Sequence, residues 1–268
     1  MKFITTLLFI SIAYFGQSQV KDSAFSKKSA LILPIIYYTP ETNWAFGIGG
    51  IAYYNFGENR SETRPSSAYF YASYTINNQL VIDLPFHIFS NKETWYAAGE
   101  VAVYDFPFKY FGIGCSIDHS QSENYILQQQ KLNLTLYRKT NSNWFLGPRL
   151  FIDRLSEIDY DENGRISMLN LKGINGGLST GIGASLLYDS RHNVYCPKNG
   201  WYFELSYLNY AIDAVNLSGF HSVRADVRHY TKLSKSTVLA TNFFGNFNFG
   251  NVPFYMLSEF GGLFRMRG

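Results

Sequence analysis

From Leu31 onward, apolar and polar positions alternate along the chain with a period of two, the pattern of an extended strand with a different environment on each face. In the stretch from Gln79 to Phe89, Leu80, Ile82, Leu84, Phe86 and Ile88 share one face, and Gln79, Asp83 and His87 share the other. Val223, Ala225 and Val227 stand against Arg224, Asp226 and Arg228 in the same way, and Leu132, Leu134 and Leu136 against Lys131, Asn133 and Thr135. Helix-period runs are absent. After the first twenty residues no window approaches the roughly 18 consecutive apolar residues of a membrane-crossing helix. The pattern predicts about eleven strands, near 30–39, 44–56, 66–76, 79–89, 95–106, 123–138, 143–154, 179–189, 200–210, 220–231 and 237–249.

Alternation alone fits a soluble sandwich as well as a membrane barrel. Three features separate them. The strands run to about 10 to 13 residues, the length of a tilted bilayer span, where soluble strands average about 5 or 6. Aromatic residues crowd the strand ends: Tyr37, Tyr38, Trp44, Tyr53, Tyr54, Trp95, Tyr96, Trp144, Trp201 and Tyr202 occupy the levels where interfacial girdles belong. Arg149, Asp153, Glu204, Arg224, Asp226 and Arg228 fall mid-strand on the non-apolar face, which suits a polar lumen and would disrupt a sandwich core. The fold expected is all-β, a transmembrane antiparallel β-barrel. If the first strand rises from the periplasm, the connections at 107–122, 155–178, 211–219 and from 250 onward are extracellular, and those at 57–65, 90–94, 139–142, 190–199 and 232–236 periplasmic. The connection at 57–65 is long for a periplasmic turn.

Composition agrees. Of 268 residues, 18% are aromatic, with 21 Tyr and 23 Phe, and 16% are charged, below the about 25% of an ordinary soluble domain. A net charge of +3 is too small to point to a nucleic-acid partner. The opening MKFITTLLFISIAYFGQSQV sets Lys2 before an apolar run from Phe3 to Phe15 and then small or polar residues, the pattern of a secretory signal peptide over 1–18. A membrane anchor is the alternative, but about 13 apolar residues fall short of the roughly 20 a spanning helix needs. A short lead-in follows over 19–29, then the barrel domain over 30–268, and the chain is expected at the cell outer membrane.

Several stretches resemble catalytic or ligand-binding motifs. In GIGASLLYDSRHNVYCPKNGWYFEL, Asp189, Ser190, Arg191, His192 and Cys196 lie close together, but neighbours on one turn rarely reach triad geometry. Asp189 and Arg191 are expected to pair or cap backbone groups and so hold a turn between strands. The GIG repeats at 47–49, 112–114 and 181–183 open no helix after a short strand, so they are not phosphate loops; glycine here lets aromatic neighbours lie across the sheet. Cys115 and Cys196 fall at opposite ends of the expected barrel, about 25 Å apart, and are read as two free thiols. No His/Cys/Asp cluster has ligand spacing, so no metal, cofactor, small-molecule substrate or enzymatic activity is expected.

The chain ends FYMLSEFGGLFRMRG, and at this point it resembles the BamA/TamA family, the bacterial surface antigen proteins, outer-membrane barrels that insert or translocate other polypeptides. The family's valine-arginine-glycine-aromatic loop tip corresponds to Met266, Arg267 and Gly268, and its aspartate-x-arginine turn with a later proline and glycine to Asp189, Arg191, Pro197 and Gly200. LPIIYYTPETNWAFGIGG and FPFKYFGIG look like the family's opening hairpin and third loop. The resemblance implies a sixteen-stranded barrel without the periplasmic repeats, of which about eleven strands are present before a C-terminal truncation. It implies a weak seam between first and last strands that templates incoming strands, with Arg267 bracing the lumen. The partners implied are outer-membrane lipid and unfolded outer-membrane or secreted polypeptides. A passive pore or structural barrel that has lost client handling is the alternative, and a secreted β-rich enzyme is a third class that lacks any convergent nucleophile, base or metal set.

Overall fold

The computed structural model describes residues 28–39, 43–57, 63–113, 122–161, 163–169, 171–191, 193–212 and 216–258. The signal-peptide stretch 1–18, most of the lead-in, Cys115, His192 and the residues from 259 onward lie outside them. The alternating segments form eleven strands: β1 (Lys28–Thr39), β2 (Asn43–Tyr54), β3 (Ser66–Thr75), β4 (Leu80–Phe89), β5 (Trp95–Tyr110), β6 (Glu123–Asn141), β7 (Trp144–Asp159), β8 (Gly177–Asp189), β9 (Gly200–Ile212), β10 (Asn216–Lys232) and β11 (Val238–Gly250). They make one antiparallel sheet in chain order, a continuous meander with β1 and β11 at its edges and no closure between them among the described residues.

Strands β5, β7, β8, β9 and β10 run past their expected bounds at the long-loop end, while β2 and β3 stop short of theirs. The expected loop at 107–122 starts later, because Phe106, Phe108 and Tyr110 keep period two and pair as far as Tyr110 with Glu123. Pro107 reads as a stop in sequence, but β4 pairs with β5 only as far as Asp105, so at Pro107 the strand has a partner on one side alone and a missing N–H is tolerated. The other strand prolines follow the same rule. Pro34 lies on edge strand β1. The β3–β4 ladder passes from Ala68–Phe86 to Tyr71–Asp83, skipping Pro85, and the β6–β7 ladder from Thr135–Arg149 to Arg138–Leu146, skipping Pro148.

The β7–β8 connection holds the single α-helix among the described residues, the short α1 (Arg165–Met168), which the periodicity did not predict; the Glu123 carboxylate accepts from the Ile166 backbone N–H, 3.0 Å, at its first turn.

The two faces differ in an order opposite to that of a soluble protein. On one face apolar side chains stand exposed, Ile32 at 70% and Ile182 and Phe243 at 64%, while on the other Arg149 is 6%, Asp226 4% and Asp153 2% exposed. The sheet curves toward the polar face, so groups far apart in strand order meet across it. Tyr53 of β2 packs edge-on against Tyr195 of the β8–β9 connection, ring centroids 5.4 Å apart. Beyond β11 the chain folds back over this face: the Phe254 N–H donates to the Lys172 carbonyl at 2.9 Å, and the Phe254 ring meets Tyr125 of β6 at 6.1 Å.

All four tryptophans lie on the apolar face: Trp44, Trp95, Trp144 and Trp201 are each a first or second strand residue and each more than a third exposed. Tyr96 and Tyr202, expected beside them in the girdle, turn the other way. Consecutive strand residues point to opposite faces, so the partner of an outward tryptophan must point inward. Tyr96 is 7% exposed and stacks on Phe89 at 4.3 Å and on Tyr137 at 5.4 Å.

Candidate functional site

The polar face is layered from the short-turn end upward. At that end the connections β2–β3, β4–β5 and β8–β9 are tied by ions. Arg64, just before β3, grips Glu93 with two prongs, Nε to Oε1 at 2.8 Å and Nη2 to Oε2 at 2.9 Å, and its backbone N–H reaches the same Oε1 at 2.9 Å. Its remaining Nη1 bonds Asp189 Oδ2 at 2.5 Å. Asp189 also accepts from Arg191 through Nε and Nη2, both at 2.9 Å, and through the Arg191 backbone N–H at 3.1 Å. Burial opposes the charge of Arg64, but hydrogen bonding to Glu93 and attraction to Asp189 and Glu93 outweigh it and raise its pKa above the ordinary arginine range. Arg191 is raised likewise: burial opposes its charge, and the Asp189 carboxylate more than offsets that. A raised pKa on a base gives stability that is complete below the unfolded value, so both guanidiniums hold their charge across the working pH range.

Glycine is required in this turn. Gly200 has φ +114°, and a Cβ there would sit 2.8 Å from the Ser190 carbonyl and 2.9 Å from the Arg191 Cα. Ser190 and Trp201 close the same turn by exchange, the Ser190 N–H donating to the Trp201 carbonyl and the Trp201 N–H to Ser190 Oγ, both at 2.9 Å. The serine hydroxyl is therefore a structural acceptor in the turn. Pro197 lies in the loop between, half-buried.

Beneath the ions lies an aromatic layer of Phe89, Tyr96, Tyr137 and Phe145, completed by Leu187, with Tyr202 packed against it. The Arg64 guanidinium lies 4.6 Å from the Phe89 ring, and those of Arg191 and Arg228 lie 4.5 and 5.0 Å from Tyr202.

Glu204 is the hub of the next layer. Its Oε2 accepts from Tyr202 at 2.6 Å, and its Oε1 from Arg149 Nη1 at 3.0 Å, Tyr137 at 3.1 Å and Ser185 at 3.4 Å. Arg149 Nη1 also donates to Ser206 Oγ at 3.1 Å. A buried carboxylate with this many donors is a fixed structural charge.

A scan against protein-family models finds no match for this sequence, and a search of curated proteins finds none. The chemistry must therefore be read from the residues themselves.

The mid-strand charges picked out by pattern all lie on the polar face. Arg149 and Glu204 are paired directly; Asp226 and Arg228 pair within β10, Nε to Oδ1 at 2.9 Å and Nη2 to Oδ2 at 2.5 Å. Asp153 takes both oxygens to the Gln129 amide, at 2.9 and 2.8 Å. Arg224 stacks over the Phe244 ring at 5.1 Å. The loop residues Met266, Arg267 and Gly268 lie outside the described residues, although the part that is described, Val252 to Ser258, already runs back over the polar face. Cys196 is a free, exposed thiol. Glycine accommodates a ring as expected at Gly181, where a Cβ would meet the Tyr210 ring at 2.6 Å.

Arg64 and Glu93 were not among the residues singled out by sequence. Neither sits in a strand and each lies in a different connection; the one signal was the unusual length of 57–65, which carries Arg64 inward.

Proposed function

We propose that the chain is an outer-membrane β-barrel protein of the BamA/TamA type, exported by its N-terminal signal peptide, that assists insertion or translocation of polypeptides. The observation that carries the membrane part is the reversal of faces, with large apolar side chains exposed along the strands and charges covered on the other side. Exposed apolar surface on this scale needs an apolar environment to cover it. The tryptophans at strand ends fit an interfacial level in that setting.

Two features support the client-handling part. The Asp189, Arg191, Pro197 and Gly200 turn is built as a unit, and the described segment after β11 runs back over the polar face. Edge strand β1 pairs along its whole length with β2, but Ile35, Leu33 and Ile32 face Gly47, Gly49 and Gly50, which offer no side chains for cross-strand contact. An edge strand with one side unpaired and few cross-strand side-chain contacts is suited to take up an incoming strand. The aromatic layer under the cluster of ion pairs argues against a wide polar channel along this part of the sheet.

The test is a reconstitution of the full chain in phospholipid vesicles, followed by the folding rate of a small urea-unfolded outer-membrane barrel read by heat-modifiable gel mobility. Several-fold faster folding than in protein-free vesicles is expected. Equal rates, together with steady single-channel conductance in a planar bilayer, would instead support the passive pore.

A further inference from the structure

Arg149 on β7 and Arg224 on β10 line one cavity of about 160 Å³ on the polar face, whose wall is polar at Ser206, Ser222, Asn246 and Asn248 and otherwise aromatic or apolar, from Phe151 to Met256. The register sets this arrangement: Arg224 stands opposite Ser206 on β9 and Asn246 on β11, and Ser222 opposite Asn248. Gly183 faces Arg149 on β8, and with no side chain there the guanidinium passes over β8 to reach β9.

Positive charge is in excess here. Glu204 is committed to Arg149 and two tyrosines, and Asp226 gives both oxygens to Arg228. Three arginines thus stand against the two carboxylates that pair with them, and among the described residues Arg224 forms no ion pair: it stacks on an aromatic ring and feels the Glu204 charge only through space. Among the described residues, the buried polar atoms of this cavity that lack a hydrogen-bond partner are Arg149 Nε and Arg224 Nε, both donors. Arg149 is itself only 6% exposed. Ser206 Oγ accepts from Arg149, which leaves its own proton to donate. Ser222 donates to Asn246 Oδ1 at 3.2 Å, and the Asn246 and Asn248 amides are held by Ser258 at 3.1 Å and by the Met256 carbonyl at 2.9 Å, so the wall is fixed in place.

We infer that this cavity binds an oxyanion of phosphate size, held between Arg149 and Arg224 with Ser206 donating. A lining whose unused groups are donors matches a ligand that only accepts, and planar guanidiniums match the paired oxygens of such a group. The volume is below the about 300 to 1,000 Å³ of sites for drug-sized molecules, so the cavity takes an anionic head and not a whole ligand. The source is either free phosphate or the phosphate head of a lipid. The inference stands on the cavity and does not depend on client handling.

The test uses the full chain folded in a neutral detergent, its unfolding temperature followed as sodium phosphate replaces sodium chloride at constant ionic strength and pH. Phosphate is expected to raise the midpoint saturably, and Arg224→Gln to raise the half-saturating concentration at least about tenfold, as loss of one charge-assisted contact does. Asn246→Asp places a carboxylate opposite Arg224; it is expected to raise the midpoint in chloride and to abolish the phosphate response. A wild type indifferent to phosphate, or an Arg224→Gln variant with an undiminished response, overturns the inference. Short-chain phosphatidic acid, with short-chain diacylglycerol as the phosphate-free control, separates the sources: a half-saturation well below that of inorganic phosphate assigns the lipid head, an equal one the free anion. A chain that leaves client folding unchanged yet responds to phosphate leaves this site intact.

Discussion

Arg64 and Asp189 are 125 residues apart in sequence and meet through an ion pair whose side chains are 14% and 3% exposed. The pair joins the approach to β3 with the end of β8, which have no ladder in common. It fixes the curvature of the sheet at the short-turn end, because the same guanidinium holds Glu93 and lies over Phe89.

Among the described residues, Arg64→Met would leave Glu93 with Lys139, 3.9 Å away, as its ion partner and Asp189 with Arg191. Breaking a covered pair by removing one partner costs about 3 to 5 kcal/mol. The remaining partners put the expected loss at the lower end, about 3 kcal/mol, measured by urea unfolding of the chain in lipid vesicles. A loss under about 1 kcal/mol would place the pair with ordinary surface bridges.

The Glu204 hub makes a different prediction. Glu204→Leu alone strands the Arg149 charge and is expected to destabilise by about 3 kcal/mol, and Arg149→Met alone by a similar amount. The double variant replaces a covered ion pair with apolar groups and is expected to be more stable than either single one. Additive losses in a double-mutant cycle would mean the two side chains do not depend on each other.

At Gly200 the backbone is left-handed and the space for a Cβ is taken by the Ser190 carbonyl. Gly200→Ala is expected to cost about 1 to 3 kcal/mol in the same unfolding measurement. Gly245→Ala, at a glycine without positive φ on the apolar face and with only the Phe247 and Phe243 side chains nearby, serves as the milder comparison.

The proposed membrane facing is tested by a pair of arginines. Ala225 lies opposite Leu205 and Gly245 on the apolar face, and Ala240 opposite Tyr230 on the polar one. Ala225→Arg is expected to cost about 2 to 4 kcal/mol in lipid, with Ala240→Arg clearly milder. Equal tolerance at the two sites would rule out the facing.

Strand number and facing were legible because period two is a local property: Arg224, Asp226 and Arg228 take the face that alternation assigns them. The partners were not legible. Glu204 meets Arg149 across β8, and Arg64 meets Asp189 across most of the sheet, and neither closeness leaves a trace in sequence spacing. Tyr96 and Tyr202 were misplaced for a simpler reason, since their position near a strand end was weighed and their parity against Trp95 and Trp201 was not. The expected end of the fifth strand at 106 is too early, because a sequence does not show that the neighbouring strand has already ended and that Pro107 is tolerated there.

A meander in chain order lets every ladder form between neighbours as the chain is laid down, hairpin upon hairpin, with little loop entropy to overcome at each step. The contact from Arg64 to Asp189 is of another kind, since it cannot exist until β8 has been added. It therefore acts late, after zippering, and its loss should quicken unfolding while leaving the rate of strand addition nearly unchanged.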